Sequence, residues 1–179
     1  MNPVVKAQVR DFSITNALSH RSESELFEIY SIYSVLNGGL GESIDPLDAH
    51  LAGSEFGMDG MAILVQGRLV SDTTDTADTI LDIKSPTIDF YFFQSKTGIS
   101  FDYGDISKFF DAISGLFSGD MKGESPQLDD LLLVKDMLFE QAVGKRNPGI
   151  HAYYICTGNY DNPARIEKLI ASTSRLLKK

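Results

Sequence analysis

Ile88-Asp-Phe-Tyr-Phe-Phe-Gln94-Ser95-Lys96 is an aromatic and β-branched run that turns polar at its end. Such composition forms a buried strand. Side chains at i and i+2 of a strand share a face, so this strand delivers Gln94 and Lys96 together to one edge. Earlier in the chain, Gly57-Met58-Asp59-Gly60 leads into a second apolar run, Met61-Ala-Ile-Leu-Val65, closed by Gln66-Gly67 and followed by Arg68-Leu-Val70. Gln-Gly between two such runs predicts a hairpin. If these strands pair, a carboxylate, an amide oxygen and an ammonium meet at one place.

The remaining sequence alternates helices with strands. Asn2-Pro3 predicts a capped helix start, with Val5, Val9 and Phe12 at near-helical spacing and an end near Ala17. Ser22-Glu-Ser-Glu25 is a capping-box pattern; Leu26, Phe27, Tyr30, Tyr33 and Leu36 form the apolar stripe of the helix it opens, and Asn37-Gly38-Gly39 is expected to stop it. Glu28 lies off that stripe, where its ordinary reading is a solvated helix residue. The stretch 41–57 reads as a turn-rich acidic loop with at most one turn of helix. Ser71 to Lys84 reads as a short helix anchored by Ile80, Leu81 and Ile83. Its aspartates lack the glycine and terminal glutamate of a calcium loop and form a solvated face.

Helices are also expected over Asp105–Phe117, with Ile106, Phe109, Phe110, Ile113, Leu116 and Phe117 on one face, and over Leu128–Val143. A polar turn at 118–127 separates them. Ile150 to Cys156 is a further core strand, and Asp161-Asn-Pro163 opens a last helix from Ala164 to about Leu177. The expected architecture is one α/β domain over 1–179.

A length of 179 residues and 42% hydrophobic content are ample for one folded domain. No apolar run approaches the roughly 18 residues of a membrane span, and the N-terminus lacks a signal-peptide pattern, so a cytoplasmic protein is expected. Cys156 is the single cysteine and is read as core packing; His20, His50 and His151 are too scattered to predict a zinc site. The formal charge of −9 has the wrong sign for a protein that coats nucleic acid through a broad basic surface. It remains compatible with an acidic metal site served by a local positive track.

An acid at the mouth of one strand, followed by Gln-x-Lys on the next, resembles the PD-(D/E)xK nuclease superfamily in its QxK variant, used by Mrr-like restriction enzymes. Over Phe56 to Phe117, about a third of the chain, the similarity narrows. Met58-Asp-Gly-Met-Ala-Ile-Leu-Val-Gln-Gly-Arg-Leu-Val70, Phe92-Phe-Gln-Ser-Lys-Thr97 and Ser100-Phe-Asp-Tyr-Gly-Asp-Ile106 look like the abortive-infection phage-resistance (AIPR) family. The order of elements fits the α/β sandwich of restriction-endonuclease-like folds: three layers, with a mixed central sheet flanked by helices.

The resemblance implies a metal-dependent endonuclease acting in phage defence on DNA, with RNA left open. Members usually have longer chains, so an N-terminal domain is expected, joined to a C-terminal remainder; a homodimer is compatible with it. The implied cofactor is Mg2+ or Mn2+. Asp59 is the implied principal ligand, with the Gln94 amide oxygen and the Ser95 backbone carbonyl beside it, while Lys96 orients or polarises the attacking water. Nuclease-fold enzymes often carry an extra acid on the helix before the strands, a role open to Glu28. Glu55 stands near the family's additional acid and is a second-rank ligand. Because Gln94 is neutral, metal affinity is expected to lean on Asp59 plus Glu28 or Glu55.

Two alternatives stand beside that reading. Asp-Gly is a common turn dipeptide, and Gln-Ser-Lys is an ordinary strand end. A neutral Gln94 and an acidic chain also fit a catalytically inactive nuclease-fold module that recognises nucleic acid or a partner protein. A serine–lysine dyad at Ser95-Lys96 is disfavoured because adjacent strand residues point to opposite faces.

Overall fold

The computed structural model describes residues 1–40, 43–53, 57–119, 125–141 and 147–177. In chain order its elements are α1 (Pro3–Thr15), α2 (Glu23–Gly39), β1 (Gly60–Val65), β2 (Arg68–Val70), α3 (Thr73–Ile80), β3 (Ile88–Lys96), α4 (Tyr103–Ser118), α5 (Pro126–Gln141), β4 (Gly149–Cys156) and α6 (Ala164–Leu176). The strands form one mixed sheet in the order β2-β1-β3-β4. Here β1 runs antiparallel to β2 and β3, and β3 runs parallel to β4. A parallel neighbour cannot be reached by a tight turn, so α4 and α5 make the crossover. The central place of β3, paired on both sides, accounts for its nearly continuous apolar sequence.

Alternation along the strands divides the core in two. Met61, Ile63 and Val65 of β1, with Phe90 and Phe92 of β3, pack against Phe109, Ile113 and Leu116 of α4 and Leu131 and Leu138 of α5. Ala62, Leu64 and Phe93 face the other way, onto Ile32 and Leu36 of α2 and Ala49. The molecule is therefore an α/β structure with helices on both faces of the sheet. Burying each large apolar side chain contributes roughly 2 kcal/mol, which makes the register hard to slip. A one-residue shift would exchange the two faces of β3.

Local chemistry set most of the boundaries. The Asn2 side chain accepts the Val4 N–H at 2.9 Å, and Ser22 accepts the Glu25 N–H at 3.3 Å. Asp72 caps α3 by accepting from Thr74 and Asp75. Gln66 and Gly67 both have positive φ, 57° and 77°, as the tight hairpin between β1 and β2 requires.

Some expectations need correcting. The run Asn37-Gly38-Gly39 does end α2, but as its last residues, with Leu40 as the C-cap. Ile32 and Leu36 of α2 pack against the sheet, with Phe27 and Ile29 also buried, whereas Tyr30 and Tyr33 meet Phe12 of α1 at ring separations of 5.4 and 5.3 Å. Two apolar faces, one for each neighbour, blurred the stripe. Leu81 is exposed rather than an anchor, and Cys156 is only half-buried at the end of β4. Helix α5 begins at Pro126, inside the expected turn; its expected end at Val143 lies outside the described residues. Lys135 is buried in α5, and its ammonium donates to the Leu116 carbonyl at 2.9 Å. It thereby serves a carbonyl left open at the C-terminus of α4.

Candidate functional site

Asp59 stands immediately before β1. Its N–H donates to the Phe93 carbonyl at 2.8 Å, and its own carbonyl accepts the Leu51 N–H at 2.9 Å. Gly60 and Phe93 are the last register pair of β1 and β3, so the Ser95 N–H lies beyond the end of that ladder. The Asp59 carboxylate takes this amide instead: Oδ2 accepts from the Ser95 N–H at 2.6 Å and from the Gln94 Nε2 at 2.8 Å. Burial raises the Asp59 carboxyl to about 6. The Ser95 amide opposes the rise, the Glu28 charge adds to it, and Lys96 and Gln94 oppose it.

Gln94 is buried and meets Asp59, but with its nitrogen rather than with the amide oxygen beside it. The reason is elementary: an ionised carboxylate only accepts hydrogen bonds, so an amide touching it must donate. Oε1 is then the atom left to Gln94 as a ligand. The Ser95 carbonyl lies 3.5 Å from Gln94 Nε2. Ser95 Oγ is buried and has no hydrogen-bond partner among the described residues. Lys96 is half-exposed, on the same strand face as Gln94, with Nζ 3.9 Å from Asp105 Oδ2 in the first turn of α4.

Glu28 reaches this neighbourhood from α2. It precedes Ile32 by one turn and so shares the side of α2 that meets the sheet. A Cβ on Gly60 would lie 2.5 Å from Ile32 Cδ1 and 2.7 Å from the Ala49 carbonyl oxygen, so glycine is what lets α2 settle onto the start of β1. Glu28 Oε2 is 3.2 Å from His50 Nε2, and Oε1 accepts from Ser24 Oγ at 3.3 Å. The solvated reading of Glu28 is thereby displaced. Glu55 lies outside the described residues.

Two neighbours escaped the sequence reading. Asp105 was visible only as a residue of the helix start. His50 falls in what reads as loop, yet it pairs with Gly60, because Ala49, His50 and Leu51 continue the outer side of β1 where the three-residue β2 no longer reaches. The other histidine–carboxylate contact, His151 Nε2 to Asp89 Oδ1 at 3.0 Å, is at the opposite end of β3.

Among the described residues, no three His, Cys, Asp or Glu side chains come together as a metal-holding group. The oxygens gathered around Gln94 Nε2 are hard donors: the Asp59 carboxylate at 2.8 Å and the Ser95 carbonyl at 3.5 Å, with the charge of Glu28 felt at Asp59. Their chemistry fits Mg2+ or Mn2+ rather than a soft metal. A nearby cation would also relieve the burial and like-charge repulsion that hold the Asp59 carboxyl high.

A cavity of about 910 Å3 lies elsewhere, bounded by α4, β4 and α6, with Phe101, Phe109, Tyr154 and Ile166 in its wall. None of Asp59, Gln94 or Lys96 lines it, and its surface is mainly apolar. Comparison of the chain with protein-family models, with curated proteins and with solved structures gave no match. Among the described residues, no helix is long and apolar enough to cross a membrane.

Proposed function

We propose that the chain is a restriction-endonuclease-like, AIPR-type domain that hydrolyses phosphodiester bonds in DNA with the help of Mg2+ or Mn2+, in the service of phage defence. The observation that carries this reading is the Asp59 carboxylate, held by the Ser95 amide and the Gln94 side chain where the start of β1 lies beside the end of β3. A packed strand end would be served as well by a neutral side chain. Burying a carboxylate there, within electrostatic reach of Glu28, is costly unless a cation joins it.

Asp59, the Ser95 carbonyl, Gln94 Oε1 and Glu28 are the groups that would hold the ion. A bound divalent cation supplies charge neutralisation at the phosphate and a more acidic water. The chain does the positioning. Asp59 is fixed on two backbone bonds and two carboxylate bonds, so its free oxygen has little freedom to turn. Lys96 presents a solvent-accessible ammonium whose charge is felt at Asp59, able to donate to an attacking water and to offset developing negative charge.

The direct experiment is cleavage of plasmid DNA in the presence of Mg2+ or Mn2+, comparing the chain with Asp59→Ala. Metal-dependent nicking by the chain and its loss in the variant are expected. Equal cleavage by both would reject the assignment.

A second reading, a nuclease-fold module that recognises nucleic acid or a partner without cutting, is favoured by one specific feature. Gln94 is neutral and spends an N–H on Asp59, so Asp59 is already partly satisfied without a cation. Under that reading DNA or a partner protein binds, but no cleavage accompanies Mg2+.

A further inference from the structure

We propose that His50 is a positioning residue, which holds the Glu28 carboxylate at the mouth of β1 so that Glu28 and Asp59 serve one divalent cation. The inference rests on the nuclease reading and goes beyond it by assigning a residue outside the nuclease motif.

The His50 side chain is only 4% exposed, and its Nε2 is 3.2 Å from Glu28 Oε2. Facing a carboxylate, that nitrogen is the donor. The imidazole cannot drift, because the backbone on both sides of it is fastened to the site: the Leu51 N–H donates to the Asp59 carbonyl at 2.9 Å, and the Met61 N–H donates to the Ala49 carbonyl at 3.0 Å. His50 pairs directly with Gly60, so their side-chain positions lie on one face, the face onto which Ile32 packs. Gly60 leaves that space to Ile32. The residue that grips Glu28 is thus built onto the backbone flanking Asp59.

The contrast with the second histidine–carboxylate pair decides that burial and fastening matter. His151 also contacts a carboxylate at 3.0 Å, but its side chain is 39% exposed and stacks on Tyr91 with ring centroids 4.5 Å apart. That pair ties β4 to β3 and has no acid of the site to orient. A glutamate on α2 has three rotatable side-chain bonds and would otherwise spend much of its time in solvent. Partners beyond the ligands that fix ligand orientation commonly contribute 10- to 100-fold in metal affinity.

The experiment is Mg2+ titration by calorimetry, with thermal melting in parallel, on the wild-type chain, His50→Phe, His50→Gln, Glu28→Gln and the double variant His50→Phe/Glu28→Gln. His50→Phe is expected to weaken Mg2+ binding about tenfold or more. His50→Gln, which restores an N–H donor, should recover much of the affinity. The double variant should bind no more weakly than Glu28→Gln alone, because His50 acts through Glu28. Wild-type Mg2+ affinity in a folded His50→Phe, or losses that add in the double variant, would overturn the role of His50 and leave the nuclease reading standing. Absence of Mg2+ binding by the wild-type chain would overturn both. If His50→Phe fails to fold, His50→Ala takes its place: a tenfold loss in His50→Ala that His50→Gln largely restores supports the proposal, and wild-type affinity in a folded His50→Ala rejects it.

Discussion

Asp59 is a buried acid whose ionisation works against the fold. Its carboxyl stands at about 6 against an ordinary 3.8, chiefly because of burial. A raised folded value means that the folded chain holds the proton more tightly than the unfolded one. The associated stability is complete below about pH 4, is lost as pH rises toward 6, and is gone above it. The difference amounts to roughly 3 kcal/mol at most. Asp59→Asn should therefore melt higher than the parent at pH 8, by about 1 to 3 kcal/mol, and show no advantage at pH 4; thermal unfolding at the two pH values measures this. Lys96 behaves in the opposite way. Its ammonium is half-exposed and its nearest acid is 3.9 Å away, so Lys96→Met should change stability by less than about 1 kcal/mol. Cleavage in that variant should fall by roughly 100-fold or more, and a large loss of stability would instead mark Lys96 as structural. The shared face of Gln94 and Lys96 was legible in the sequence because strand alternation is a local rule, and the meeting of Asp59 with Gln94 followed from pairing their strands. His50 was not legible, because its role arises only when a loop closes onto β1 across the chain.

At the level of elements, the start of β1 is where α2, the 49–51 segment and β3 meet, and Gly60 sets how closely they meet. A methyl group there would run into Ile32 and the Ala49 carbonyl. Gly60→Ala is expected to cost about 1 to 3 kcal/mol. It should also weaken Mg2+ binding, since pushing α2 outward carries Glu28 away; denaturant unfolding and metal titration on the same protein test both effects. The starts of α1 and α2 and the β1–β2 turn could be read in advance, since Asn2, Ser22 and Gln66-Gly67 satisfy or bend the backbone beside them. The buried face of α2 could be read only in part, at Phe27 and Leu36, while Ile29 and Ile32 were missed. Phe12 on one side and Phe93 on the other both draw apolar residues onto that helix, so a single-stripe reading picked the α1-facing tyrosines. That choice left Glu28 looking solvated, when it lies one turn before the sheet-facing Ile32. The burial of Lys135 was equally hidden, because its partner is a carbonyl of another helix.

For the whole molecule, the β2-β1-β3-β4 order with helices on both faces brings three separate stretches of sequence to one corner: 28 from α2, 50 and 59 from the entry to β1, and 94 to 96 from the end of β3. The strands themselves were evident, but their order was not, since the sequence marks the hairpin and leaves the parallel partner of β3 open. The chain carries a net charge of −9, so under the proposed nuclease reading phosphate would be drawn in by a cation and Lys96 rather than by a general basic surface. The glutamine separates a working cation site from a packed strand end. In Gln94→Glu the donor to Asp59 is replaced by a second carboxylate, and two acids then face each other unless a cation lies between them. The decisive measurement is therefore Mg2+ binding by calorimetry at pH 8 for the wild-type chain, Gln94→Glu and Asp59→Asn. The wild-type chain is expected to bind Mg2+, Gln94→Glu to bind it more tightly, and Asp59→Asn to lose it. Equal responses from all three proteins, or none from any, would contradict the nuclease reading.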